Sequence, residues 1–507
     1  MNRILTKISG SHAITGNRLK RFPDMRFRLF FISQLLFFFL LGSCIDDIHY
    51  STDPSARLRF ECDTLSFDTV FTSVGSATGV FLVYNPNDDA LSLPGIRLAG
   101  GEESPFRVNL DGENCTSWRD IDIRAHDSLF VFVEVTVDPR DEDAPFEVRD
   151  SLVFTLASGV QQHVLFTAWG RDALVLQAVT LTDSLTTLHA TRPVLIRDSL
   201  VVAEDATLRI LPGCQLYFHP DAGLVVKGTL EALGTRDSLV VFRGDRLDWM
   251  FSYLPYDRAK GQWQGITLRS TSHDNVLCYA DIHSSLYGIR SEATDMQHVL
   301  LTMENSQIHN TDGTGLDLVL SVGSAINCQF TNARDHCIDI RGGCYEFIHC
   351  TIANLWPWNA VYDQCEALRI RNTDEEHFWP LFGVHFTNCI ITGRRDDELT
   401  GLVADTLNDY HFSHCLINSR PDTSAHFEAI VWESPDSTVW GKDNFVTHNY
   451  SFLYDFHLDS LSRARGIGTP DVLPIVPYDR DAILRTTPPD AGCYQYREDG
   501  KETGNES

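Results

Sequence analysis

Polar and apolar positions alternate in short bursts along most of this chain, and between Asn305 and Asn354 the bursts keep a fixed interval. Asn305-Ser306-Gln307-Ile308-His309-Asn310 returns as Asn327-Cys328-Gln329-Phe330-Thr331-Asn332 and as His349-Cys350-Thr351-Ile352-Ala353-Asn354, in two steps of 22 residues. Looser copies, Asn388-Cys389-Ile390-Ile391-Thr392-Gly393 and His414-Cys415-Leu416-Ile417-Asn418-Ser419, follow after steps of 39 and 26. Within each copy the Ser/Cys and Ile/Phe positions lie two apart, so on a strand they share one face. The Asn, His, Gln and Thr residues beside them suit the wet face. No copy has apolar spacing of three and four, which excludes a helix in the repeat. A period in the low twenties built from β-type residues marks a solenoid.

Twenty-two residues supply three short strands and three turns, one rung of a parallel β-helix. Rungs stacked about 4.8 Å apart put Cys328 over Cys350, Phe330 over Ile352 and Asn332 over Asn354. Asn at the turns tolerates left-handed backbone and bonds along the stack. Upstream, Leu200-Val201-Val202, Leu208-Arg209-Ile210, Gln215-Leu216-Tyr217-Phe218, Leu224-Val225-Val226 and Leu239-Val240-Val241-Phe242 are further short strands, punctuated by Pro212-Gly213, His219-Pro220-Asp221 and Gly234-Thr235. The coil is expected over 175–440, with about a dozen rungs of right-handed hand.

Leu208-Arg209-Ile210-Leu211-Pro212-Gly213-Cys214, Gly223-Leu224-Val225-Val226-Lys227-Gly228-Thr229-Leu230 and Trp263-Gln264-Gly265-Ile266 resemble stretches of bacterial right-handed parallel β-helix proteins of the pectate-lyase-like superfamily. Pro489-Asp490-Ala491-Gly492-Cys493-Tyr494-Gln495-Tyr496 resembles their closing motif, with Cys493 where that motif has Ala. The resemblance implies a fold and not an activity, since that superfamily mixes lyases, hydrolases and adhesins.

Residues 59–172 have a different rhythm. Phe67–Phe71, Gly79–Asn85, Leu129–Val135, Asp150–Phe154 and Val164–Gly170 are strand candidates separated by Asn-Pro and Gly-rich turns, which predicts an immunoglobulin-like sandwich. Asn85-Pro86-Asn87 and Ala168-Trp169-Gly170 resemble the bacterial sandwich modules related to the ASPM/SPD-2/Hydin group. The whole is therefore expected to be all-β: a sandwich at 59–172, the coil at 175–440, a C-terminal cap over its open end at 441–496, and a frayed tail at 497–507.

The first 43 residues read as a secretory signal, with the true start at Met1 or Met25. Met25-Arg26-Phe27-Arg28 precedes an apolar run from Leu29 to Leu41, then Leu41-Gly42-Ser43-Cys44. The Cys after small residues resembles a bacterial lipobox, which implies lipid attachment at Cys44 and a linker at 44–58; the alternative is ordinary cleavage before a Cys. Asp46-Asp47 resembles the export signal of Bacteroidota surface lipoproteins, so the expected address is the outer membrane, facing outward, with its periplasmic side as the alternative. The chain carries a net charge of −28, and residues 1–43 are themselves basic, so the remainder is more acidic still. Nucleic acid, which demands clustered Lys/Arg, is disfavoured as a partner.

Cys328, Cys350, Cys389 and Cys415 occupy one ladder position and read as small buried hydrophobes, since stacked Cβ atoms are too far apart for a disulfide. The absence of paired Cys-x₂₋₄-Cys with partner His gives no expectation of a metal, and no motif implies a cofactor. Two interruptions of the repeat could build a site. The first, Asp245 to Arg258, carries Trp249, Tyr253 and Tyr256; the second carries Asp374, Glu375, Glu376, His377 and Trp379, with Trp356 and Trp358 one rung earlier. Exposed aromatics beside carboxylates suit sugar binding, whereas folded back they would merely cover the coil. Asp374, Glu375 and Glu376 are weak candidates for glycoside hydrolysis, because adjacent carboxylates in one loop do not define a pair across a substrate. A non-catalytic surface protein that binds glycans or partner proteins is the reading favoured here. A polysaccharide lyase or hydrolase and a structural spacer are the alternatives.

Overall fold

The structure is a computed structural model and describes residues 48–356, 366–373, 377–402, 409–447, 452 and 454–498. It is all-β. The N-terminal sandwich has two five-stranded sheets. One orders Arg59–Phe60, Gly79–Tyr84, Ser128–Val135, Phe106–Leu110 and Glu113–Cys115, all antiparallel. The other orders Thr64–Phe71, Gln161–Arg171, Phe146–Thr155, Gly95–Leu98 and Ser117–Trp118, with a parallel pair at Thr64–Phe71. Strict alternation sets the inner faces: along Ser128–Val135 only Val131, Val133 and Val135 are buried. Phe81, Phe106 and Phe166 meet between the sheets. Asn85 anchors its turn from inside, its Nδ2 donating at 3.0 Å to the carbonyls of Asp89, Ile123 and Arg124.

The sandwich abuts the coil. Phe71 packs edge-on against Tyr217, 4.8 Å between centroids. Arg192 of the coil pairs with Asp141 and Asp143 of the sandwich at 2.7 and 2.6 Å.

From Leu174 to Glu433 the chain winds a parallel β-helix with three faces. The first face is a ten-stranded parallel sheet running from Thr186–Leu188 to Phe427–Glu428. The second holds the stack Ala280–His283, Gln307–Thr311, Gln329–Ala333, Thr351–Asn354, Ile390–Gly393 and Leu416–Asn418. The third holds Ile289–Ser291, Leu316–Val319, Ile338–Arg341, Leu368–Arg371 and Leu399–Thr400. Among the described residues the first face has ten strands, fewer than a dozen, because insertions lengthen several turns.

The expected register holds: Ile308 pairs with Phe330 and Phe330 with Ile352. Cys328, Cys350, Cys389 and Cys415 are buried and free. Inside the first face Phe347, Phe386, Phe412 and Phe427 stack nearly parallel, with successive centroids 4.6, 4.8 and 5.1 Å apart. Offset aromatic pairs of this kind add about 0.5–1.5 kcal/mol each beyond area burial. The corner between first and second faces needs left-handed backbone, and Asn305, Asn327, His349, Asn388 and His414 all have φ between 51° and 55°. Their side chains bond along the stack, Asn327 to Asn305 at 3.2 Å and Asn388 to His349 at 3.0 Å.

The last segment departs from expectation. Residues 454–496 do not merely close the open end of the coil but fold back along its second face. Gln329, Thr331 and Thr351, outward-facing and expected to be wet, are buried beneath them. Cys493 N donates to Thr351 Oγ1 at 3.0 Å, Arg480 Nε to Asn305 O at 3.1 Å, and Arg485 to Asn327 Oδ1 at 2.7 Å. The reason is apolar: Ala353, Ile390 and Leu416 point outward on this face, and Phe445, Phe456, Ala491 and Tyr494 cover them. Gly492 (φ +90°) permits the close approach, since a Cβ there would lie 2.6 Å from Ile390 Cδ1. Among the described residues no helix is long and apolar enough to cross a membrane.

Candidate functional site

The corner between the second and third faces carries the longest insertions. Residues 245–265 leave the second face after Val240–Gly244 and rejoin the third at Ile266–Leu268. Part of this insertion is a two-stranded hairpin, Trp249–Phe251 with Leu254–Pro255. It projects its aromatics: Trp249, Phe251 and Tyr253 are 52%, 52% and 54% exposed. Phe251 stacks on Tyr253 at 5.6 Å, and Tyr253 on Phe452 at 6.5 Å. Tyr256 is half-buried, with the Arg246 guanidinium 3.9 Å above its ring. The hairpin returns at Asp257, directly over the second face.

There it meets a cluster that the repeat assembles. Asp281 and His283 alternate outward along Ala280–His283, and in the next rung Gln307 and His309 occupy the same positions. Asp281 Oδ1 lies 3.0 Å from His283 Nδ1 and 3.1 Å from His309 Nε2. His283 Nε2 lies 3.0 Å from Asp257 Oδ1, and Arg243 ion-pairs with the same carboxylate. Inside the coil Trp263 stacks on Phe218 at 4.1 Å and donates its indole N–H to His283 O at 2.9 Å, which fixes the strand. Burial opposes charge on His283, but Asp281 and Asp257 on its two edges raise its pKa to about 9. Burial would likewise raise the Asp281 carboxyl, yet the two imidazoles hold it well below the usual range. The cluster floors a cavity of ≈ 270 Å³ whose walls include Gln307, Gln329, Phe452, Tyr454 and Phe456.

The third face is a ladder of opposite charges. Asp317 pairs with Arg341 at 2.6 Å, and Asp339 with Arg369 and Arg371, each at 2.8 Å. Asp317 and Asp339 occupy one register position in adjacent rungs. Burial raises the Asp317 pKa, whereas Asp339, equally opposed by burial, is lowered by its two guanidinium partners. Beside them Thr314, Asp335, His336, Glu366 and Arg369 line an open cavity of ≈ 440 Å³. Glu366, resisted by burial but paired with His336 at 3.1 Å and Arg395 at 2.8 Å, is held down at about 2.

The expected ligand surface is thus partly assembled. Trp249 and Tyr253 are exposed together, and Tyr256 braces their hairpin. Trp356 is not part of a surface: it is 1% exposed, with Lys260 Nζ 5.4 Å from its ring centre. His377 is exposed and stacks on half-buried Trp379 at 5.3 Å. That pair sits between the third and first faces, so the two insertions occupy different corners and do not share a side. Trp358, Asp374, Glu375, Glu376 and Cys44 lie outside the described residues. Asp281, His283 and His309 were missed because their step is 26, not 22. Aligning Ala280-Asp281-Ile282-His283 with Ser306-Gln307-Ile308-His309 would have found them.

No family model matches the chain, and no curated protein matches it. Among solved structures, the ASH/PapD-like domain of human CEP192 is similar over 24% of this chain and 89% of its own, at 12% identity and a TM-score of 0.17. A Porphyromonas gingivalis protein of unknown function matches 24% of this chain and 59% of its own, at 12% identity and a TM-score of 0.18. The catalytic unit of a GH87 α-1,3-glucanase from Streptomyces thermodiastaticus matches 71% of this chain and 91% of its own, at 8% identity and a TM-score of 0.15. The fold rests on the strand pairing above and not on these likenesses.

Proposed function

We propose that the chain is a glycan-binding protein whose site is the groove between the aromatic hairpin and the second face of the coil. The observation that carries this reading is the stacked row Phe251, Tyr253 and Phe452, in which Phe452 also walls the cavity floored by carboxylates, imidazoles and amides. Flat rings take the C–H faces of a sugar, and Asp257, His309 and Gln307 accept from and donate to its hydroxyls. Rungs repeat at about 4.8 Å, close to the length of one sugar residue, so a polymer laid along the coil meets equivalent positions. The lipobox-like Cys44 fits a tethered protein at the outer membrane. Binding of a polysaccharide panel by the full chain, lost in Phe251→Ala/Tyr253→Ala, tests the reading.

A second reading, glycoside hydrolysis, has one observation in its favour. Asp317 and Asp339 occupy one register position in adjacent rungs, and their environments push their pKa values in opposite directions. Product release in the same panel, abolished by Asp317→Asn, would favour it over binding alone.

A further inference from the structure

We propose that Asp281, His283 and His309 form a site for a divalent transition-metal ion, with Zn²⁺ the best-fitting occupant. One carboxylate oxygen and two imidazole nitrogens, each from a different side chain, lie within 4.8 Å of one another. His283 Nδ1 and His309 Nε2 converge on the same oxygen, Asp281 Oδ1, at 3.0 and 3.1 Å. Donors around a tetrahedral Zn²⁺ at about 2.0–2.2 Å lie roughly 3.3–3.5 Å apart, so each of the two N···O separations need open by only a few tenths of an ångström to admit the ion.

What stands behind the donors matters as much. His283 presents its other nitrogen to Asp257 at 3.0 Å, and Arg243 holds that carboxylate in turn. A carboxylate behind a ligating histidine fixes the tautomer and aims the remaining lone pair at the metal. Here it aims Nδ1 at Asp281 and His309. The backbone pre-positions the rest: His283 and His309 are register partners in adjacent strands, and His283 O is pinned by the Trp263 indole. Two imidazoles select against Ca²⁺ and Mg²⁺, which take oxygen donors. Three protein donors leave a fourth position facing the groove, where water or a sugar hydroxyl could coordinate. The inference is independent of the glycan reading, because the donor set is complete without a ligand.

The rival is a metal-free ladder in which a charged His283 bridges two carboxylates. Tag-free full chain, stripped with chelator, is dialysed against ZnCl₂ and, in parallel, CaCl₂, and its metal content is measured by mass spectrometry. The variants are His309→Ala, Asp281→Asn and Asp257→Asn, each checked for wild-type thermal unfolding without metal. His298→Ala serves as control, since His273, Asp274 and His298 form an exposed cluster elsewhere. The expected result is about one Zn²⁺ per wild-type chain and no Ca²⁺. His309→Ala and Asp281→Asn should lose the ion, Asp257→Asn should bind it about 10–100-fold more weakly, and His298→Ala should retain it. A wild-type chain that takes up no Zn²⁺, or a His309→Ala chain that takes up as much as wild type, overturns the proposal; neither outcome depends on sugar binding.

Discussion

His283 and His309 lie one above the other, centroids 4.9 Å apart and planes 18° from parallel, although 26 residues separate them. Strand pairing alone produces this, because Asp281–His283 and Gln307–His309 are in register. In a parallel coil the backbone ladder carries side chains into columns, and insertions at one corner are gathered over those columns. The cavity is built that way, with its floor from the repeat, Asp257 from an interruption of it, and its aromatic wall of Phe452, Tyr454 and Phe456 from the segment that follows the coil.

The same columns hold the coil together. Phe386 is fully buried between Phe347 and Phe412, with nearly parallel rings on both sides. Phe386→Ala should cost about 3–5 kcal/mol, read as a fall in the denaturant midpoint. Phe130→Ala, at an exposed ring of the sandwich, should change it little. A loss below about 1 kcal/mol for Phe386→Ala would mean the column is not packed as described.

The cysteine column should be inert until the coil opens. Burial raises the thiol pKa values of Cys328, Cys350 and Cys389 well above the ordinary value. Without reductant, alkylation of the native chain should spare these three and Cys415, whereas alkylation in denaturant should label all four. Recovery of a cross-linked Cys328–Cys350 peptide would contradict this.

The folded-back segment should make stability fall on the alkaline side. His457 lies between Asp455 and Asp481, 2.5 Å from one carboxylate and 2.9 Å from the other, while Arg497 also reaches Asp481 at 3.4 Å. Both ring nitrogens can donate only in the imidazolium, and despite burial the pKa is raised from 6.5 to about 9. A raised histidine contributes fully below its unfolded pKa and loses that contribution as pH rises through the folded one. The melting-temperature difference between wild type and His457→Gln should therefore be largest at pH 6 and shrink toward pH 9.5. A difference that stays constant or grows over that range would contradict the assignment.

The strict 22-residue step by itself places Phe330 on Ile352, because side-chain alternation and a fixed period leave one register. The sandwich was equally plain in the alternation of Val131, Val133 and Val135. Residues 454–496 read in sequence only as a cap over the open end, because a strap without repeat or period gives no sign of the surface it covers. That surface was nonetheless written in the repeat as outward-facing Ile390 and Leu416. Exposure at the insertions was no more legible: Trp249 and Trp356 have the same chemistry in sequence, yet one projects from a hairpin strand and the other is buried, with Lys260 over its ring.

The most direct test of the account is a calorimetric titration of the full chain with oligosaccharides from whichever polysaccharide the panel selects. Wild type, Phe251→Ala/Tyr253→Ala and His377→Ala are compared. Loss of two stacking rings, each worth about 0.5–1.5 kcal/mol, should weaken binding roughly 5- to 150-fold in the double variant with melting temperature unchanged. His377→Ala, at the other corner, should bind as wild type does. Equal affinity of the double variant and wild type, or loss of binding in His377→Ala alone, would contradict the placement of the site.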